Sequence, residues 1–191
     1  MVKDKRNIIE VHRFLRELFG RETTMFDLLA ILIGAFSLAG LTLILKWDAD
    51  FSVIKKIVLT MLALDIGGGV VANFTRGTNN YYAESLGKRY LFVLFHLLQP
   101  SVLIWIFPNQ LFSILGLSVF TLISSIIVLN IKKTYAQRII ALTLLLLCLM
   151  LSTLLNYSDP LAQLIMQLFS IKLILAFSVN WTATDKDETR K

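Results

Sequence analysis

Long apolar stretches alternate along this chain with short polar segments. Six stretches contain hardly any charged side chains, and each has roughly the 20 residues that a helix needs to cross a hydrocarbon core about 30 Å thick. They occupy residues 26–45, 57–75, 90–107, 111–129, 138–155 and 161–179. The connections from the third to the fourth and from the fifth to the sixth are short enough for tight antiparallel hairpins. The pattern predicts an all-α fold: a polytopic membrane bundle of six transmembrane helices.

Composition favours a membrane protein over a soluble one. Hydrophobic residues form 56% of the chain, charged residues form 17%, and the mean hydropathy is +0.70. A soluble domain of 191 residues has too little interior to bury so much apolar surface. The net charge of +6 lies in clusters between apolar stretches, so we expect no nucleic-acid partner. Histidine and cysteine are too few and too scattered for a metal site, and we expect no cofactor.

The distribution of Lys and Arg predicts the orientation of the bundle. Fifteen of these residues lie before the first stretch, in the second connection, in the fourth connection and at Arg138 directly after it, or after the sixth stretch. The first connection carries three, and the third and fifth carry none. Positive charge concentrates on the cytoplasmic side of membrane proteins. We therefore expect a multi-pass protein of the plasma membrane with both termini in the cytoplasm.

The chain divides into three parts around the apolar stretches. In residues 1–25, apolar side chains recur at helical spacing among basic ones, which predicts an amphipathic basic helix lying on the inner membrane surface. Residues 26–179 form the membrane domain. Residues 180–191 form a short polar cytoplasmic tail.

The second stretch carries unusual polar and small residues. Asp65, Gly69 and Asn73 share one helical face, and Gly67, Gly68 and Gly69 follow one another. Close packing against another helix would explain the glycines. A locally broken helix that exposes backbone groups to a ligand, as in transporters, would explain the carboxylate as well. We favour the broken helix.

Counting residues from the expected outer ends of the helices brings four polar side chains to a similar depth. Asp65 and Gln99 each lie eight residues in, whereas His96 and Lys172 each lie eleven in. At 1.5 Å per residue, the two levels differ by only about 4.5 Å. We therefore expect these four residues to meet near the membrane midplane. A charge at that depth costs about 2.5–3.5 kcal/mol, so each needs a partner or a function.

The connection below this cluster is polar but weakly charged. It runs from Asn73 to Tyr82 and includes Arg76 and Asn79. It would form either a vestibule that leads to Asp65, with Arg76 meeting an anionic group, or a plain turn. The candidate binding residues share a place in or below this cluster: Asp65, Gly68, Gly69, Asn73, Arg76, Asn79, Tyr82, His96, Gln99 and Lys172.

Three functions fit these residues. The first is binding or transport of a small solute, with proton coupling available through Asp65 and His96. The second is a membrane-embedded enzyme acting on a lipid or another amphiphile, with Asp65 and His96 as catalytic acid and base. The third is a structural or regulatory subunit in which Asp65 and Lys172 form an internal brace. The partners expected are the bilayer, the solute or lipid, and a second copy or another membrane subunit.

Overall fold

The computed structural model describes residues 8–47 and 50–183. Within them, six segments are helical, long enough and apolar enough to cross a membrane: Met25–Lys46, Val53–Phe74, Leu86–Ile106, Pro108–Leu129, Thr134–Leu154 and Pro160–Phe177. The prediction of an all-α, multi-pass membrane bundle is therefore confirmed. The first two spans are α2 (Met25–Lys46) and α3 (Val53–Phe74), and the short helix α4 (Arg76–Ala83) follows them.

The other spans are built from the remaining helices. The third consists of α5 (Leu86–Phe95) and α6 (Leu98–Ile106), and a 3₁₀ turn at Pro108–Gln110 leads into α7 (Leu111–Leu129). The fifth is α8 (Thr134–Leu154). The sixth consists of α9 (Pro160–Ser170) and a π-helix (Ile171–Phe177), and it packs against spans two, four and five. Its central place puts Lys172, which is 2% exposed, deep inside the bundle.

Side-chain caps define where several of these helices begin. The side chains of Thr24 and Ser52 accept hydrogen bonds from backbone N–H groups in the first turns of α2 and α3. Asp159 does the same for α9, where Pro160 occupies the first helical position. Thr75 ends α3 and caps α4. Thr75 therefore places α4 directly after the end of the second span.

The amphipathic helix expected over residues 1–25 is not confirmed. From residue 8 onward this segment is an antiparallel hairpin of β1 (Ile8–Glu10) and β2 (Glu22–Thr24), with a 3₁₀ turn at Arg13–Leu15 and the four-residue α1 (Arg16–Phe19) between the strands. Gly20 has a φ of 75°, which ends α1. Residues 1–7 lie outside the described residues. The hairpin packs on α4 at the end of the bundle that carries residues 178–183, here called the terminal end.

The broken helix expected at the three glycines is also wrong, because α3 is continuous from Val53 to Phe74. A Cβ on Gly34 of α2 would lie 2.8 Å from the carbonyl oxygen of Gly67, and one on Gly68 would lie 3.2 Å from Cβ of Ala35. Gly67 and Gly68 therefore let α2 and α3 pack closely, as small residues do between membrane helices.

The interruptions lie in spans three and six instead. Pro100 has no N–H group, so it cannot donate the usual helical hydrogen bond to the carbonyl of His96. That carbonyl instead accepts a hydrogen bond from the N–H of Gln99 at 3.2 Å. The helix is interrupted at His96 and Leu97. The sixth span changes from α- to π-helix at Ile171, one residue before Lys172. Both interruptions therefore fall at residues of the predicted polar cluster.

Candidate functional site

Asp65 lies at the meeting point of spans two, three and six. Nζ of Lys172 lies 3.1 Å from Oδ2 of Asp65 and 3.4 Å from its backbone oxygen. Nε2 of Gln99 donates a hydrogen bond to the same Oδ2. The Lys172 side chain is only 2% exposed, whereas that of Asp65 is 45% exposed. The ammonium therefore depends on Asp65, while the carboxylate remains accessible from one side.

Gly69 makes room for Lys172. A Cβ at this position would lie 2.7 Å from Nζ of Lys172, so any larger residue would displace the ammonium. π-helices appear in proteins mostly as short segments and frequently at functional sites. Lys172 lies in the π-helix of span six, and the absence of a side chain at Gly69 leaves room for its ammonium beside Asp65.

His96 follows α5 at the interruption of span three. Its Nδ1 lies 2.7 Å from the carbonyl oxygen of Phe92, and because a carbonyl can only accept, Nδ1 carries the hydrogen. In the neutral ring, Nε2 is then the acceptor. The ring packs on Phe92, which stacks on Phe177 at a centroid distance of 3.8 Å. This packing fixes the ring at the wall of a cavity.

A cavity of about 360 Å³ runs from Asp65 to the terminal end. Asp65, Gln99, Lys172 and His96 line its deep end, so the structure brings together the four residues that depth counting grouped. Apolar side chains form most of the remaining wall: Phe14, Leu18, Ala72, Phe92, Phe95 and Leu98. The cavity is therefore apolar with a polar end, which is the usual character of a small-molecule site.

Two polar atoms at this cavity have no hydrogen-bond partner among the described residues. They are Nδ2 of Asn73 and Oε1 of Gln99, and both atoms are buried. Buried polar atoms are nearly always hydrogen-bonded, so each such exception needs an explanation. A ligand in the cavity would bond to either atom once the side chain turns it toward the cavity, because both atoms are covered in this structure.

Other candidate residues have different places. Gly68 packs against α2 and does not line the cavity. Arg76 lines a second cavity at the surface of the terminal end. Asn79 joins the terminal segments, because its Nδ2 donates to the Val179 carbonyl and its Oδ1 accepts from the Trp181 N–H, each at 3.0 Å. Neither Arg76 nor Asn79 lines the cavity beside Asp65.

Tyr82 does line the main cavity, and its hydroxyl donates to the backbone oxygen of Glu17 at 3.3 Å. Burial, with the Glu17 charge, holds the pKa of Tyr82 above its ordinary range, so the phenol stays a neutral donor.

Sequence reasoning missed the contribution of the N-terminal segment. Phe14, Glu17 and Leu18 line the terminal end of the cavity, although they were assigned to a surface helix. It also missed Pro100, whose presence in an apolar stretch was a usable signal for an interrupted helix. Within the described ranges, no three His, Cys, Asp or Glu side chains are grouped as ligands for a metal ion.

The fold and the site define a class: a multi-pass α-helical membrane protein with an ion pair, Asp65–Lys172, between its second and sixth spans. Comparisons with protein-family models, with curated proteins and with solved structures found no match for this chain. The function is therefore argued from the geometry of the cavity and from the chemistry of the residues that line it.

Proposed function

We propose that this protein binds a small molecule in the cavity beside Asp65 and carries it across the membrane. The observation that carries the proposal is that two residues lining the cavity, Asn73 and Gln99, each carry a buried polar atom without a partner among the described residues, Nδ2 and Oε1 respectively. A structural brace between Asp65 and Lys172 would need neither atom. Unsatisfied polar groups beside a cavity are what a binding site presents to its ligand.

The interrupted helices support transport in particular. Secondary transporters place substrate sites near the midplane, at helices that are discontinuous beside the substrate. Here span three is interrupted at His96, and span six becomes a π-helix around Lys172. Such interruptions are positions where a span can change shape without unfolding. Asp65 and His96 are titratable groups at the same cavity, and this is why the proposal includes proton coupling.

The proposal also assigns a location. We place the protein in the plasma membrane with both termini in the cytoplasm, on the strength of the fifteen Lys and Arg residues on that side. The cavity then extends toward the cytoplasmic surface, beneath the N-terminal hairpin. A bundle of six spans is small for a carrier, so we propose that it works as a homodimer or with a membrane partner subunit.

Native mass spectrometry of the purified protein tests the proposal. We expect wild type to carry a small molecule that Gln99→Leu loses, because the leucine cannot accept the ligand's hydrogen bond. Ser101→Ala is the matched control, since the Ser101 hydroxyl bonds only to the backbone of Leu97 and does not line the cavity. The identified molecule is then used in counterflow across proteoliposomes.

The outcomes separate the candidate functions. Bound molecule and counterflow in wild type, both lost in Gln99→Leu, support a carrier. A wild-type protein that holds no molecule, or a Gln99→Leu protein that holds the same one, contradicts the binding site. Chemical conversion of the molecule without counterflow would instead identify an enzyme with Asp65 and His96 as acid and base.

A further inference from the structure

We infer that the ligand is an amphiphile that enters the cavity sideways from the bilayer, with an uncharged or cationic head group that donates hydrogen bonds at Asp65 and Gln99. This inference rests on the proposed binding site and adds to it the route and the chemical class of the ligand. It combines three features of the cavity: its lipid-facing side, its apolar wall and the polar groups at its depth.

The N-terminal segment lies against the terminal end of the cavity. Phe14, Glu17 and Leu18 line the cavity there. The Thr78 hydroxyl donates to the backbone oxygen of Leu18 at 2.8 Å, which holds this segment on α4.

Two further contacts hold the segment in place. Gly20 and Gly77 lie so close that a Cβ on either would overlap backbone atoms of the opposing segment. Arg21 forms an ion pair with Glu84 at 2.9 Å. These contacts fix the position of the segment, while Phe14 and Leu18 keep 87% and 50% of their surface exposed.

The side between α3 and α5 is open, whereas α6 packs on α3. Phe95 and Leu98 line the cavity, yet they are 67% and 55% exposed, and Asp65 beside them is exposed as well. α5 packs on α4 and α7, and α6 continues the span beyond the interruption. Apolar side chains exposed on a membrane span face lipid. The interruption at His96 therefore leaves a side opening through which the bilayer reaches the level of Asp65.

The wall favours a ligand with an apolar tail. Phe14, Leu18, Phe92, Phe95 and Leu98 form a continuous apolar surface between the opening and the terminal end. Burying apolar surface against it drives association without directional bonds. A fully hydrophilic solute would leave that surface unmatched.

The groups at the deep end define the head group. Oε1 of Gln99 and Nε2 of His96 are acceptors, and Asp65 adds a half-exposed carboxylate. The ammonium of Lys172 is already paired with that carboxylate. That ammonium is 2% exposed whereas the carboxylate is 45% exposed, so the accessible charge at the deep end is negative. Hydroxyl or ammonium donors fit this set, whereas a carboxylate or phosphate head group would meet like charge.

Four probes test the class of ligand by native mass spectrometry of purified wild type: monoolein, oleylamine, oleate and glycerol. We expect monoolein and oleylamine to bind at least about tenfold more tightly than oleate and glycerol. Leu98→Trp narrows the side opening and is expected to weaken their binding by about tenfold or more. Leu91→Trp is the matched control, since Leu91 also faces lipid on span three but does not line the cavity, and it should bind like wild type.

Other results would overturn the inference. These are oleate as the tightest probe, glycerol binding as well as monoolein, no binding of any probe, or equal binding by Leu98→Trp and wild type. A dimer peak that Leu98→Trp abolishes would show that a second copy covers the opening, and would also overturn it. Glycerol binding that is lost in Gln99→Leu would contradict the amphiphile while leaving the proposed binding site intact.

Discussion

Asp65 and Lys172 form an ion pair whose two members are buried to very different extents. The ammonium is 2% exposed and the carboxylate is 45% exposed. Removing one partner of a buried pair costs several kcal/mol, because the other charge is left without compensation. The cost therefore depends on which charge remains.

This asymmetry gives a prediction for the two single variants. Asp65→Leu leaves the buried ammonium of Lys172 alone and is expected to destabilise the protein by about 3–5 kcal/mol. Lys172→Met leaves an accessible carboxylate and should destabilise the protein clearly less than Asp65→Leu does. The variant that carries both Asp65→Leu and Lys172→Met should regain most of the lost stability but should bind no ligand. Thermal unfolding in detergent measures all three; a Lys172→Met protein less stable than Asp65→Leu would contradict the arrangement.

Gly69 gives a second prediction at this scale. Gly69→Ala places a Cβ 2.7 Å from Nζ of Lys172, and overpacking of this kind costs about 1–3 kcal/mol. Gly40→Ala is the control, because a Cβ there meets no atom within 4 Å. It should raise stability by up to about 1 kcal/mol, since Ala favours a helix over Gly. The same unfolding assay applies, and equal effects of the two substitutions would show that Gly69 does not make room for Lys172.

At the scale of elements, the sequence predicts the spans well but not their interruptions. Length and apolar composition are local properties, and they suffice for six membrane helices. Glycines weaken a helix but keep their N–H groups, so packing against α2 holds α3 continuous. Pro100 has no N–H to contribute, and the interruption lies there. Depth counting grouped the polar residues because the rise of a helix is nearly constant.

The sequence pattern did not predict the N-terminal hairpin, because the structure of this segment depends on contacts with residues far away in the chain. Its side-chain pattern also fits an amphipathic helix, and nothing local reveals that Leu18 and Gly20 lie on α4. For the same reason, the sequence alone does not identify Glu17 as a residue that lines the cavity. Tertiary packing overrides local preference in such segments.

Gly20→Ala tests the attachment of this hairpin. The new Cβ would overlap the backbone of Gly77, and the φ of 75° is unfavourable for alanine. We expect faster hydrogen exchange across residues 8–24, with the six spans unchanged. Gly87→Ala is the control, because its Cβ would lie 3.6 Å from Oγ of Ser85, an ordinary contact. Unchanged exchange in Gly20→Ala would show that the hairpin is not held by this contact.

For the whole molecule, the orientation gives a further prediction. In a Cys148→Ser background, cysteines replace the exposed Asn109 between spans three and four and the exposed Lys132 between spans four and five. An impermeant maleimide added to intact cells should label Asn109→Cys at once, and Lys132→Cys only after permeabilisation. The reverse pattern would place the termini outside and contradict the cytoplasmic assignment.

The central claim is that a molecule occupies the cavity beside Asp65, and a density map of the wild-type protein in lipid nanodiscs tests it most directly. We expect non-protein density between spans two and three, with polar atoms about 2.7–3.2 Å from Nδ2 of Asn73 and Oε1 of Gln99. Side chains that close the cavity, with both atoms hydrogen-bonded to the protein itself, would contradict the claim and leave Asp65 and Lys172 as a structural brace.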